Sequence, residues 1–347
     1  MDRRRLLCAR PSTLGLLLVL ALLTAPWAPT GAALSSSQGA SDSALQGATL
    51  QTYSVAPETV DPATAGLQAS HFVVFDPSAT RQGQLLAFLP GFLANPANTT
   101  LIVQRAAANG FHAIGLSYPK PANLISVCAS NPDDGCFEAA RRAVIYGGDD
   151  SAPLNVASAD SMVNQLTRLL AYLAAQHPDQ DWTAYLDNGL LRWSAIRLAG
   201  LSEGGTHAAL IARDHAVARL CLFESPVDLI GPPGSLRRLP PWIAAGGATP
   251  ADRIYGFRHV HTSSQFTAAF QGAWGLFGLD AFGPSVDVDT YDPPYNGSHH
   301  LTTDSAPAVN DDTPNLVHRS VVEDRLTPKA ASGEPLFAPV WQYACMS

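Results

Sequence analysis

From residue 51 onward the hydrophobic positions switch between two periods. Short β-type runs at 52–55, 72–75, 85–89, 112–116, 196–199, 219–223, 254–259 and 300–303 predict β-strands. Between them the spacing lengthens. Met162, Leu166, Leu169, Leu170 and Leu173 fall on one face of a helix. Residues 98–109 predict a helix capped by Asn98 or Thr99 and stopped at Gly110, and 205–216 predicts another. Strands alternating with helices predict an α/β fold, a mostly parallel central sheet with helices on both faces. Two stretches interrupt the alternation. Residues 118–157 carry Pro, Gly, Asp and two Cys, and residues 231–249 are Pro-rich, so both are expected to be inserts outside the sheet.

The first 50 residues have a different pattern. Arg3, Arg4 and Arg5 precede the apolar run 14–23, which Pro26 and Pro29 end before Thr30, Gly31, Ala32 and Ala33. This is the three-part pattern of a secretory signal peptide over 1–33, with cleavage expected near Ala33. The run falls short of the roughly 20 residues that a membrane span requires. Residues 34–50 are mostly Ser, Gly, Ala and Gln, too poor in apolar surface to offset their ordering entropy, and are expected to form a disordered leader. Residues 51–347 then form a single domain, secreted or periplasmic, with no integral membrane segment after cleavage.

A net charge of −8 without a Lys/Arg cluster beyond the leader argues against nucleic-acid binding. With 46% hydrophobic and 14% charged residues the chain is neither disordered nor a coiled coil. Of the five cysteines, Cys8 belongs to the signal. Cys128 and Cys136 flank a short polar loop and are expected to form a disulfide in an oxidising compartment. Cys221 lies in an apolar run and reads as a buried thiol, with Cys345 as a possible partner. No set of ligands at metal-binding spacing accompanies these cysteines, and no metal is expected.

One motif carries chemistry. Gly200-Leu201-Ser202-Glu203-Gly204 matches G-x-S-x-G between a strand and an Ala-rich helical stretch. A serine on so sharp a turn stands clear of the sheet at a helix N-terminus, where free N–H groups favour developing negative charge. A serine needs a base to act as a nucleophile. Among ten histidines, His318 lies where a loop beyond the last strand should be, with a helix-like segment at 321–326 behind it. His299 and His300 fall in or beside a strand. His207 shares the helix after Ser202 and is expected to pack beside it, and His259 and His261 end an earlier strand. A carboxylate should orient the base. The loop after 254–259 has no Asp or Glu, which leaves the end of the preceding strand. There Asp228 is preferred over Glu224, because Glu224 stands so close to the strand that local hydrogen bonding could use it, and Asp280 is the third candidate. The backbone N–H of Glu203 and one from the turn at Gly91-Phe92 would form an oxyanion hole.

The order strand, Pro-Gly turn, helix, strand, G-x-S-x-G, helix and late His resembles the α/β-hydrolase superfamily over about 72–326, and within it exported bacterial esterase- or lipase-like members. The resemblance implies a serine hydrolase that cleaves a small-molecule or lipid ester through an acyl-enzyme, with no metal or organic cofactor. It carries over Ser202, His318 and the turn at Gly91-Phe92. This chain departs from the common pattern in having Pro90 where His often stands and in lacking an acid after the seventh strand. A peptidase or thioesterase would use the same site, and a hydrolase-like binding protein would have lost the acid.

Overall fold

Leu85–Leu89 is buried at every position, as expected of a strand covered on both faces. It is β3 of a nine-stranded sheet in the computed structural model, which describes residues 47–67, 69–148, 153–232 and 235–347. The expected signal peptide and residues 34–46 of the expected leader lie outside them. The sheet comprises β1 (Gln51–Val55), β2 (His71–Phe75), β3, β4 (His112–Gly115), β5 (Ile196–Leu201), β6 (Arg219–Phe223), β7 (Ile254–His259), β8 (Val286–Asp287) and β9 (His300–Thr303). Their spatial order is β1-β2-β4-β3-β5-β6-β7-β9-β8. The β1–β2 and β2–β4 pairs are antiparallel and all other pairs are parallel. The protein is therefore an α/β fold with a large, mostly parallel sheet.

Strand alternation separates two apolar layers. Ala87, Leu89, Leu198, Leu220 and Leu222 face one cluster, with Leu166, Leu169 and Leu170 of α3 (Met162–Gln176). Leu86, Phe88, Ala199, Leu201 and Phe223 face the other, with Ile102 and Val103 of α1 (Thr100–Ala108) and with Trp341. Ser161 caps α3 by accepting a hydrogen bond from the Asn164 N–H. The cap of α1 is distant in sequence. Asp324 accepts from the N–H groups of Thr100 (2.8 Å) and Leu101 (3.1 Å), where Asn98 or Thr99 was expected.

The expected insert at 118–157 is more regular than its composition suggests. It holds a short helix, Leu124–Cys128, and α2 (Cys136–Tyr146), whose Phe137, Ala140, Arg141 and Val144 are buried. Helix α5 (Ser264–Leu276) and the short β8 were not anticipated. The Pro-rich insert includes a helical turn, Pro241–Ala244. Both remaining cysteine pairs stand at disulfide distance. Cys128 and Cys136 join α2 to the preceding helix with Cα atoms 5.5 Å apart. Cys221 on β6 meets Cys345 with Cα atoms 5.7 Å apart. Among the described residues no helix is long and apolar enough to cross a membrane.

Candidate active site

Strand β5 runs to Leu201, and α4 (Glu203–Asp214) begins two residues later, so Ser202 alone forms the turn. The expected start was Gly205. Close packing accounts for the glycines of the turn. A Cβ on Gly200 would lie 2.6 Å from the Gly205 nitrogen, and one on Gly204 would lie 2.5 Å from the Pro90 carbonyl oxygen. Ser202 has φ 54° and ψ −115°, a backbone geometry that non-glycine residues seldom adopt and that clusters at functional sites. Its N–H donates to the Phe223 carbonyl (2.8 Å). Its carbonyl accepts from the Thr206 N–H (2.9 Å) and hydroxyl (2.8 Å). Both peptide groups of the turn are thereby fixed.

A cavity of about 250 Å³ opens over this turn. Ser202, Glu203, Gly91, Phe92 and His318 all line it, on the background of Leu93, Ile125, Val227 and Phe266. The turn after β3 lies directly against the elbow, since a Cβ on Gly91 would stand 3.5 Å from the Leu201 side chain. Among the described residues, neither the Glu203 nor the Phe92 N–H donates a hydrogen bond. Two free amide donors therefore belong to the lining, as an oxyanion site requires.

His318 lies on a short helix, α6 (Pro314–Ser320), rather than in a loop, and the segment expected to be helical behind it is a turn. Its Nδ1 is 3.0 Å from Oε2 of Glu224. The other oxygen, Oε1, accepts from the His259 N–H, and the carboxylate is fully buried. Glu224 is the first residue beyond β6 and has φ 50°. The structure thus places Glu224, not the preferred Asp228, against the imidazole.

Asp228 has other partners. Its carboxylate accepts from Nε (2.8 Å) and Nη2 of Arg141 on α2 and from the Trp242 indole N–H (3.0 Å), and both members of the ion pair are fully buried. Burial opposes the Arg141 charge. The adjacent Asp228 outweighs it and holds the guanidinium pKa above its ordinary value. Nη1 of Arg141 reaches the Glu203 carbonyl at 3.4 Å, so this pair braces the elbow from behind. Asp280 is exposed, 3.2 Å from His300. His207 is enclosed beside Arg141, and burial, followed by that positive neighbour, lowers its pKa to about 4. His259 gives its Nε2 to the Ser305 carbonyl, His261 meets Asp304, and His299 stacks on Tyr255.

The sequence reading missed the group behind the Gly91-Phe92 turn. Lys120 donates from Nζ to the carbonyls of Gly91 (2.8 Å) and Ala94, and Tyr118 donates its hydroxyl to the Pro90 carbonyl. Their place just after β4, beside the Pro-Gly turn of the neighbouring strand, was a usable signal. Among the described residues no group of three or more His, Cys, Asp or Glu side chains could hold a metal ion. No protein-family model and no curated protein matches this chain.

Proposed function

We propose that the protein is an exported serine hydrolase of the α/β-hydrolase type, cleaving carboxylic esters through an acyl-enzyme on Ser202. The carrying observation is the hydrogen bond from His318 to the buried Glu224, on a cavity shared with a serine held in strained backbone geometry. The strand order, with one antiparallel edge and the serine turn after the central β5, supports the same fold reading. Two cysteine pairs at disulfide distance agree with an oxidising compartment.

In this reading Glu224 holds His318 as the tautomer protonated on Nδ1, which leaves Nε2 free as the base. As the Ser202 oxygen bonds to the ester carbonyl carbon, its proton passes to Nε2. The N–H groups of Glu203 and Phe92 stabilise the oxyanion. Collapse breaks the bond to the alcohol oxygen, which leaves with the proton from His318. Water then gives a proton to His318 and its oxygen to the acyl carbon. The free acid departs and Ser202 regains its proton. Leu93, Ile125, Val227 and Phe266 give the cavity an apolar wall suited to the acyl group.

A fluorophosphonate probe tests the proposal. Labelling mapped to Ser202 by mass spectrometry, absent in Ser202→Ala together with hydrolysis of p-nitrophenyl acetate, is the expected result. Absence of labelling in folded wild-type protein, or full activity in the variant, would refute it.

A further inference from the structure

We infer that Lys120 is a positioning residue of the oxyanion site: its ammonium holds and polarises the Gly91–Phe92 peptide, whose N–H is one of the two donors. The inference rests on the hydrolase reading above and adds the group that tunes its oxyanion site.

A peptide unit is planar, with its carbonyl and N–H pointing in opposite directions, so a group bound to the Gly91 oxygen fixes where the Phe92 N–H points. Nζ lies 2.8 Å from that oxygen and also binds the Ala94 carbonyl, closing a clasp across the turn. The Ala94 N–H donates to the same Gly91 oxygen at 3.1 Å. A cation on a carbonyl oxygen draws density from the whole amide and makes its N–H a stronger donor. The second oxyanion peptide, Ser202–Glu203, has its carbonyl bound by the neutral N–H and hydroxyl of Thr206. The two donors are thus held in parallel ways, but only one is backed by a charge.

The surroundings keep the amine in place. Nζ sits 4.5 Å from the centre of the Tyr118 ring, a cation–π contact, and that ring is tethered by its hydroxyl to Pro90. Glu203 on α4 and Glu323 beyond α6 are the carboxylates that act on the ammonium, and Arg141 acts on the neighbouring Tyr118. None of these carboxylates forms an ion pair with Lys120 among the described residues, so its strong hydrogen bonds go to the turn. Burial lowers the Lys120 pKa to about 8, with Glu203 and then Glu323 opposing that shift. The charge behind the oxyanion peptide is therefore half lost near pH 8.

The test follows kcat and KM for a p-nitrophenyl ester between pH 6 and 10 in wild type, Lys120→Met and Lys120→Arg. Wild-type kcat should fall on the alkaline side with a midpoint near 8. Lys120→Met should lower kcat about 10- to 100-fold, somewhat less than loss of a whole oxyanion donor, while KM changes less than about twofold. Its alkaline fall should disappear. Lys120→Arg, which keeps a charge that does not titrate in this range, should recover part of the rate and lack the fall near 8. A wild type that neither hydrolyses esters nor labels at Ser202 would remove the hydrolase reading and this inference with it. An active wild type whose Lys120→Met variant keeps its kcat within twofold, or keeps the alkaline fall, would overturn the inference alone. Should Lys120→Met not fold, the wild-type and Lys120→Arg profiles still decide, since an alkaline limb unchanged by arginine refutes it.

Discussion

Exchanging Glu224 for glutamine changes one oxygen for a nitrogen at a buried site and separates the two rival carboxylates. Glu224 uses Oε1 to accept from the His259 N–H and Oε2 to meet His318 Nδ1 at 3.0 Å. In Glu224→Gln the amide oxygen can keep the first bond, which turns the NH₂ toward His318. Nδ1 must then accept, the ring proton moves to Nε2, and the atom proposed as the base is occupied. In the proposed mechanism the imidazolium formed during attack also loses its counter-charge. The equivalent change in a well-studied triad lowers kcat about 10⁴-fold, or about 5.4 kcal/mol of barrier. Fold stability should change little, because the exchange is isosteric and the backbone bond survives. Asp228→Asn should behave in the opposite sense. It strips the partner from a fully buried Arg141, and breaking such a pair costs about 3–5 kcal/mol of stability. The assay is kcat on p-nitrophenyl acetate beside urea unfolding of each variant. A Glu224→Gln variant within tenfold of wild type, or an Asp228→Asn variant with unchanged unfolding and a 10⁴-fold lower rate, would refute the assignment.

Three further outcomes are expected. Gly204→Ala should lose stability toward the upper end of the roughly 1–3 kcal/mol typical of overpacking, because its Cβ would meet the Pro90 carbonyl at 2.5 Å; an unchanged urea midpoint would contradict this. His71, His112 and His207 are each lowered to about 4, chiefly by burial, so they stay neutral in the native state while the unfolded chain binds protons below about 6.5. Stability is then complete above that pH and falls as pH drops toward 4, by up to about 1.4 kcal/mol per unit for each group, as urea unfolding across that range will show. Non-reducing peptide mapping of protein from an oxidising compartment should yield the linked pairs Cys128–Cys136 and Cys221–Cys345, and free thiols at either pair would count against it.

The serine turn was readable because its glycines answer a steric demand that leaves a local pattern: Gly200, Gly204 and Gly205 touch backbone that no side chain could share. His318 was readable from chain order alone. The carboxylate was not. Glu224 stood so close to its strand that local hydrogen bonding could use it, and the left-handed backbone that redirects it leaves no mark in a non-glycine residue. The partner of Asp228, Arg141, lies in a stretch expected to be an insert outside the sheet. There an arginine within the 137, 140, 141, 144 stripe of α2 hid the helical period. Helix α5 was missed although Phe270, Ala273 and Trp274 show the spacing.

The distant cap of α1 bears on the order in which the molecule is made. Asp324 stands 224 residues beyond the N–H of Thr100 that it binds, and it follows His318 by six positions in the chain. A chain emerging from the ribosome would present β3, α1 and the serine turn long before it delivered the carboxylate that caps α1 or the ring that meets Glu224. Until those last residues arrive, α1 keeps unsatisfied amides at its first turn and Glu224 lacks one of its two partners. Completion of this fold is consequently a late, non-local event, and such contacts make folding slow. A nascent chain stalled before residue 318 would be open to proteases at α1 and silent toward a probe of the proposed nucleophile.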